Sequence, residues 1–215
     1  MLKGLIFDLD GTVGDTLPLC IAAFRMAIEP LAGRSVSDRE IIDTFGPSEE
    51  GTIRALIPEH EEQGVADYLR RYRELHGMCE APFEGIRDIL ELAQSRGARI
   101  AMVTGKGARS AEITLEKFGL RPYFEIVEAG SPDGPRKPEG IANVLKHFGI
   151  PPEDSLYIGD TPSDIVSCRE AGVPIASAAW ARTAEPEKLL ALGPDYYFAT
   201  VGEFRAFLER VLAET

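Results

Sequence analysis

Long apolar runs and closely spaced cysteines are both missing from this chain of 215 residues. No segment approaches the roughly 18 consecutive apolar residues of a membrane-spanning helix, so we expect no membrane role. Cys20, Cys79 and Cys168 lie far apart and form no CxxC pair, which predicts buried free thiols in a reducing compartment. The first apolar run meets two aspartates by residue 10 and lacks the features of a signal peptide. We therefore expect a cytoplasmic protein.

Basic residues are also in the minority, because 23 lysines and arginines face 35 aspartates and glutamates, a net charge of -12. A field of this sign repels phosphate backbones, so we expect no nucleic-acid partner. A phosphorylated small molecule would be repelled as well, unless a metal ion or local cations reverse the field at the site. With 44% apolar and 27% charged residues, the composition is typical of a globular enzyme or signalling module.

Short apolar segments alternate with helical patterns through most of the chain. Glycines close several of the helices, as Gly97 and Gly149 do. Strands separated by single helices indicate βαβ units, which predicts an α/β fold with a doubly wound, Rossmann-like parallel sheet. The predicted strands are Leu5–Leu9, Arg99–Val103, Phe124–Val127, Leu156–Ile158, Pro174–Ala178 and Tyr196–Ala199.

Residues 16–81 carry no strand pattern. Ser37 and Glu40 form a capping box, and apolar residues recur at helical spacing further on. A crossover between parallel strands needs only one helix, so we predict an inserted all-helical cap domain of residues 16–81. The core would then comprise residues 1–15 and 82–215. The alternative is a helical layer of the same core.

Polar residues follow four of the predicted strands, at the edge of the sheet where parallel α/β folds bind ligands. They are Asp8, Asp10, Thr104, Gly105, Lys137, Asp160 and Asp164. Taken singly, such an aspartate is often a helix cap or turn residue, and a lone lysine is usually a surface charge. Their convergence on one edge is the chemically informative feature.

Converging carboxylates indicate a metal site. Asp8, Asp10 and Asp160 would repel one another by several kcal/mol unless a cation neutralised them. Oxygen ligands of this kind suit Mg²⁺, which also binds phosphate oxygens. His60, His76 and His147 are scattered, so zinc chemistry is disfavoured.

These segments resemble the four motifs of the haloacid dehalogenase-like superfamily. The matching segments are FDLDGT at residues 7–12, Thr104 after a hydrophobic run, Lys137-Pro138, and Gly159-Asp160 with Asp164. The helical segment after the first motif resembles the cap of this family. A dehalogenase expels halide and needs no general acid, whereas an alkoxide leaving group needs one. The presence of Asp10 and Asp160 therefore implies a Mg²⁺-dependent phosphoryl-transfer enzyme acting on a small phosphorylated molecule.

The resemblance also implies roles for the carboxylates. Asp8 would attack phosphorus to form an aspartyl-phosphate, and Asp10 would protonate the leaving oxygen and later deprotonate water. Mg²⁺ would be held by the carboxylates of Asp8 and Asp160 and by the backbone carbonyl of Asp10. Asp164 would support the metal site indirectly, without binding the ion itself.

The remaining motif residues would bind the phosphoryl group. Thr104 and backbone N–H groups around Leu9 and Gly105 would hold its oxygens, and Lys137 would pair with both Asp8 and the phosphoryl group. In the cap, a turn containing Pro47, Ser48 and Glu49 would contact the leaving group; an ordinary interhelical turn is an equal alternative.

The sequence is compatible with several activities. Trp180 resembles a position in phosphoglycolate phosphatase-like members, which favours a phosphoglycolate-like phosphomonoester. A β-phosphoglucomutase-type sugar-phosphate mutase, a pyrophosphatase and a nucleotidase are alternatives within the family. A receiver-like phosphoacceptor module is a remote alternative from a different class, as is an inactive scaffold. The sequence leaves a monomer and a homodimer equally open.

Overall fold

Six parallel strands form one sheet in a computed structural model that describes residues 2–213. The strands are β1 (Gly4–Phe7), β2 (Arg99–Val103), β3 (Ile126–Glu128), β4 (Ser155–Gly159), β5 (Ile175–Ala178) and β6 (Tyr196–Phe198). Their order is β3-β2-β1-β4-β5-β6, so the winding reverses between β1 and β4. The predicted doubly wound α/β sheet is confirmed. A reversal of this kind opens a crevice at the carboxyl ends of the two strands, where ligands bind.

Both faces of the sheet are covered because successive side chains of a strand point to opposite sides. In β1, Leu5 and Phe7 join one cluster of buried apolar residues, while Ile6 joins the other. The first face packs on α5 (Ile86–Ser95), α6 (Ala108–Phe118) and α10 (Val201–Val211). The second face packs on α7 (Lys137–Phe148), α8 (Pro162–Ala171) and α9 (Pro186–Ala191).

The segment between β1 and α5 is helical throughout, as predicted. It contains α1 (Leu17–Ala32), α2 (Asp38–Ile42), α3 (Glu49–Leu56), α4 (Glu61–Glu74) and two short 3₁₀ helices, Pro58–His60 and Leu75–Met78. The capping box of Ser37 and Glu40 is present at the start of α2. In α1 and α4, the rings of Phe24 and Tyr68 stack with centroids 4.3 Å apart.

The insert adjoins the sheet at the point where the chain leaves and re-enters the core. The N–H of Phe83 donates to the carbonyl of Val13 at 3.0 Å, which holds the two crossings side by side. Buried side chains of the insert, such as Leu19 and Ile53, are continuous with the cluster on the first face of the sheet. The division at residues 16–81 stays a prediction.

Two strand boundaries differ by two residues from the sequence-based expectation, and the others differ by one residue or agree. The third strand begins at Ile126 rather than Phe124, because Ile126 pairs with Ala101 while Phe124 closes a 3₁₀ turn and enters the core. The first strand ends at Phe7 rather than Leu9. The chain turns there, since the N–H groups of Val13 and Gly14 both donate to the carbonyl of Leu9.

All three cysteines are buried and free, as predicted. Within residues 2–213, no helix combines the length and apolar character needed to cross a bilayer.

Candidate active site

Three carboxylates converge at the crevice between β1 and β4. Asp8 follows β1 and Asp160 follows β4, while Asp164 lies one turn into the N-terminal part of α8. One oxygen from each lies within 4.8 Å of the others. Of the three carboxylates expected to converge, Asp8, Asp10 and Asp160, this geometry brings Asp8 and Asp160 together, and Asp164 takes the third place.

Asp8 is held by two donors at the centre of the group. The N–H of Leu9 donates to Oδ1 at 2.7 Å, and Nζ of Lys137 donates to Oδ2 at 2.5 Å. Burial raises the pKa of Asp8 to about 6; the positive charge of Lys137 opposes that rise, and the nearby Asp164 adds to it. The ionised form of this carboxyl is therefore unfavourable, and its two hydrogen-bond donors fix its orientation.

Lys137 and Asp164 form a buried pair beside Asp8. Lys137 is the first residue of α7, and its Nζ also donates to Oδ1 of Asp164 at 2.5 Å. Burial opposes the charge on Lys137, but Asp164 and Asp8 outweigh burial and raise its pKa above the usual range. The carboxylate of Asp164 also accepts a hydrogen bond from the Tyr157 hydroxyl and forms a capping box with Thr161. Both oxygens of Asp164 thus have protein partners, which makes it a positioning group for Lys137.

Asp160 lies against the loop that follows β1. Its Oδ1 accepts a hydrogen bond from the Thr12 hydroxyl at 3.0 Å. Burial raises the pKa of Asp160 well above its usual range, and the charges of Asp8 and Asp164 raise it further. Gly11, with φ +77°, leaves room for this contact, since a Cβ there would lie 2.1 Å from Oδ2 of Asp160.

This donor set fits a hard divalent cation. Oxygen atoms alone make up the group of Asp8, Asp160 and Asp164, with no thiol or imidazole among them. Burial and mutual repulsion raise the pKa values of Asp8 and Asp160, and a bound cation would relieve that repulsion. Carboxylate oxygens in this arrangement are the ligands that Mg²⁺ prefers.

Asp10 is held on the side facing the helical insert. Its carboxylate accepts hydrogen bonds from the Thr16 hydroxyl and from Nζ of Lys106, the latter at 3.3 and 3.4 Å to its two oxygens. The side chain of Asp10 is therefore not among the three clustered carboxylates, and metal binding through Asp10 would use its backbone carbonyl.

Lys106 is a site residue that sequence reasoning missed. It is 6% exposed, its Nζ lies 3.0 Å from Sγ of Cys20, and it sits 4.3 Å from the centroid of the Tyr72 ring. Burial opposes its charge, but Asp10 outweighs burial and raises the pKa of Lys106 well above its usual range. Burial and Asp10 also raise the pKa of Cys20 to about 12, so the thiol is neutral. The local sequence, a Thr-Gly-Lys turn, gave no signal for this burial.

Thr104 and Gly105 line the same cavity as Asp8. The Thr104 side chain is buried and accepts the N–H of Lys106 at 3.2 Å, while its own N–H donates to Glu128. Gly130 allows the neighbouring loop to approach, since a Cβ there would lie 1.9 Å from the carbonyl oxygen of Gly105.

The predicted cap turn reaches the cavity with two of its three residues. Pro47 and Glu49 form part of the cavity wall, and Glu49 Oε2 accepts the N–H of Gly107 at 2.7 Å. Ser48 is buried outside the wall, and its hydroxyl donates to Glu50 at 2.6 Å. The structure therefore places Ser48 at the helix start and not at the candidate site.

A cavity of about 270 Å³ joins the core residues to the insert. The core side contributes Asp8, Asp10, Gly11, Thr104, Gly105, Lys106, Lys137, Asp160, Thr161, Ser163 and Thr183. The insert contributes Leu17, Cys20, Phe24, Phe45, Gly46, Pro47, Glu49, Thr52 and Tyr68. A cavity of this size is at the small end for ligand sites, which typically occupy ~300–1,000 Å³.

Trp180, Arg25 and Arg54 lie outside the cavity wall. Nε1 of Trp180 donates to the carbonyl of Thr12 at 3.0 Å, so Trp180 supports the loop that holds Asp160. Arg25 and Arg54, two arginines of the insert, form ion pairs on exposed faces.

The chain is similar to known phosphate-processing proteins over nearly its whole length. It is 29% identical over 209 residues to the pyrophosphatase PpaX of Bacillus pumilus, covering 96% of each chain. It is 28% identical over 186 residues to a phosphoglycolate phosphatase of Thiobacillus denitrificans, covering 81% of this chain and 82% of that one. A solved haloacid dehalogenase-like family hydrolase from Streptococcus pneumoniae superposes with a TM-score of 0.77 at 26% identity, covering 96% of this chain and 98% of the other.

The family model described as haloacid dehalogenase-like hydrolase matches residues 5–178. That span includes both halves of the crevice, from Asp8 to Asp164, together with the whole helical insert. The chain belongs to the haloacid dehalogenase-like hydrolase family.

Proposed function

We propose that this protein is a Mg²⁺-dependent phosphatase that hydrolyses a small phosphomonoester through an aspartyl-phosphate on Asp8. The observation that carries the proposal is the position of Asp8, whose buried carboxylate contacts Lys137 at 2.5 Å inside a cavity also lined by Asp10 and Asp160. A nucleophile, an acid–base group and a phosphoryl-binding cation thus share one small cavity.

Asp8 supplies the nucleophile in the first step. A carboxylate oxygen forms a bond to phosphorus, and the bond from phosphorus to the leaving oxygen breaks. The Leu9 N–H and Nζ of Lys137 fix the carboxylate before reaction. Lys137, Thr104 and the backbone near Gly105 bind the oxygens of the group being transferred, where negative charge builds up.

Asp10 moves the protons. It gives a proton to the leaving alkoxide in the first step and takes one from the attacking water in the second, which releases phosphate and restores Asp8. The hydrogen bonds from Thr16 and Lys106 hold the carboxylate of Asp10 at the wall of the cavity. Its partners differ from those of Asp8, since Thr16 lies at the start of the insert and Lys106 lies in the loop after β2.

Asp8, Asp160 and the backbone carbonyl of Asp10 would hold Mg²⁺, with Asp164 fixing Lys137 beside them. When bound, the ion neutralises the carboxylates and allows an anionic substrate to approach. The charge of the ion would offset the repulsion expected between a phosphate ester and a chain of net charge -12.

Phosphate release from a panel of small phosphomonoesters and inorganic pyrophosphate tests the proposal. Wild type should release phosphate with Mg²⁺ and not with EDTA, and Asp8→Asn should be inactive while keeping its circular dichroism spectrum. Asp133→Asn is a matched surface control, since Asp133 is exposed and paired only with Arg54 among the described ion pairs. Release by Asp8→Asn at the wild-type rate would contradict the proposal.

Hydrolysis of pyrophosphate is the second candidate function. Its support is the 29% identity to the pyrophosphatase PpaX over 96% of this chain. The same panel decides between ester and anhydride by their kcat/KM values. A bisphosphate-primed assay on hexose phosphates tests the mutase alternative. The cytoplasmic location and the choice between monomer and homodimer stay predictions.

A further inference from the structure

The wall of the cavity on the insert side is mainly aromatic and apolar, with one carboxylate and two further polar side chains, Cys20 and Thr52. Phe24, Phe45 and Tyr68 supply three rings, and Leu17 and Pro47 supply apolar contacts. Phe24 lies between the other two rings, at 5.9 Å from Phe45 and 4.3 Å from Tyr68. Since the phosphoryl group binds at Asp8 and Lys137, this wall faces the leaving group.

Glu49 is the acidic residue of that wall, and half of its carboxylate has no partner. The residue is 4% exposed, and Oε2 accepts the N–H of Gly107. Oε1 is buried and has no hydrogen-bond partner among the described residues. A Cβ at position 107 would lie 2.6 Å from the Glu49 carboxyl group, so glycine is needed for this approach. A buried carboxylate oxygen without a donor is unfavourable, so a ligand that brings a donor is favoured there.

The two cations that line the cavity are both already engaged. Lys137 is bound to Asp8 and Asp164. The three hydrogens of the Lys106 ammonium are taken up by Asp10, by Sγ of Cys20 and by the face of the Tyr72 ring. No arginine lines the cavity within residues 2–213. An anionic leaving group would therefore meet a carboxylate and aromatic rings, with no free cation.

Resting on the proposed phosphatase function, we infer that the leaving group is a small alcohol bearing a protonated amine. An ammonium group supplies the charged donor that Oε1 of Glu49 lacks, and aromatic faces attract cations. The cavity of about 270 Å³ is at the small end for ligand sites, which favours a small leaving group. Glu49 is thus a specificity-determining residue that favours an amino alcohol ester and disfavours glycolate or phosphate as leaving group.

Three phosphate esters of equal length isolate the terminal group of the substrate. O-phosphoethanolamine ends in an ammonium, ethylene glycol monophosphate in a hydroxyl, and phosphoglycolate in a carboxylate. With Mg²⁺ at pH 7.5, kcat/KM should rank ammonium first, hydroxyl second and carboxylate last. We expect kcat/KM for the ammonium ester to exceed kcat/KM for the hydroxyl ester by about 10- to 100-fold, which is the effect expected of one charged hydrogen bond.

Glu49→Gln tests whether Glu49 causes that ranking. The amide oxygen still accepts the Gly107 N–H, so the docking of α3 on α6 is retained while the charge is removed. The ratio of kcat/KM between the ammonium and hydroxyl esters should fall towards 1. Glu50→Gln is the matched control, because the neighbouring Glu50 is bound to Ser48 and Arg109 outside the cavity wall. It should leave the ratio unchanged.

The outcomes separate the two proposals. Mg²⁺-dependent release that favours phosphoglycolate or pyrophosphate over the amine ester would overturn the inference and leave the phosphatase function standing. An unchanged ratio in Glu49→Gln would show that Glu49 only docks the cap, which also overturns it. No release from any ester or from pyrophosphate would overturn the phosphatase function and the inference with it.

Discussion

Replacing Asp8 with asparagine should stabilise the metal-free protein while removing its proposed nucleophile. Burial raises the pKa of Asp8 from 3.8 to about 6, so ionising this carboxyl in the folded state is unfavourable. At 1.36 kcal/mol per pKa unit, the penalty is about 3 kcal/mol above pH 6. The asparagine side chain would keep an oxygen for Lys137 and lose the charge. We expect a gain of about 1–3 kcal/mol for Asp8→Asn at pH 7.5 in EDTA.

The stability difference between wild type and Asp8→Asn should depend on pH. Between pH 3.8 and about 6 the folded protein holds a proton on Asp8 that the unfolded chain has lost. The free energy of unfolding of wild type in EDTA therefore contains a contribution that is present below pH 3.8 and is lost as pH rises to 6. Asp8→Asn lacks this contribution, so the two proteins should converge at low pH and separate above pH 6.

Urea unfolding followed by circular dichroism measures the difference, with and without Mg²⁺. Mg²⁺ should stabilise wild type at pH 7.5 and should stabilise Asp8→Asn far less, because one ligand charge is gone. Asp133→Asn, on an exposed side chain, should differ from wild type by less than about 0.5 kcal/mol. An Asp8→Asn protein less stable than wild type in EDTA at pH 7.5 would refute the reasoning.

Three further substitutions probe the surroundings of the site. Gly11→Ala places a Cβ 2.1 Å from Oδ2 of Asp160 at φ +77°, so calorimetry should show Mg²⁺ affinity reduced by at least about tenfold; unchanged affinity would contradict the assigned ligand. Lys106→Met keeps the packing and removes two hydrogen bonds to Asp10, so kcat should fall by about 10-fold or more in a folded protein; a wild-type kcat would remove Lys106 from the site. Trp180→Phe leaves the carbonyl of Thr12 without its donor and should lower the free energy of unfolding by about 1–3 kcal/mol in urea; no loss would mean that water replaces the indole.

The sheet and the carboxylate cluster could be predicted because their signals are local. Short apolar segments and glycine-closed helices predict βαβ units, and the residue after each strand must lie at one edge of a parallel sheet. The positions of Asp8 and Asp160 follow from that rule alone, whereas Lys137 comes from the first turn of α7, after the loop that follows β3. The same rule does not give strand ends to the residue, since Ile126 begins β3 only because Ala101 pairs with it.

Other features depend on segments that meet only in the folded chain. Lys106 is buried because Asp10, Cys20 and Tyr72 approach it from the loop after β1, from α1 and from α4, and none of them is a neighbour in sequence. Ser48 has the right residue type for a leaving-group contact, but Glu50 two residues later accepts its hydroxyl. In both cases the residue type and spacing were compatible with several environments, and nonlocal packing selected one.

The most direct test of the central claim is the covalent state of Asp8 during turnover. Wild type mixed with Mg²⁺ and a phosphomonoester from the active panel should be quenched in acid within milliseconds and examined by intact-protein and fragment mass spectrometry. We predict one added phosphoryl group on the peptide containing Asp8, lost at longer times as phosphate appears, and absent in Asp8→Asn. Phosphate release that continues with no phosphorylated Asp8 at any time, or that persists in Asp8→Asn, would contradict the account.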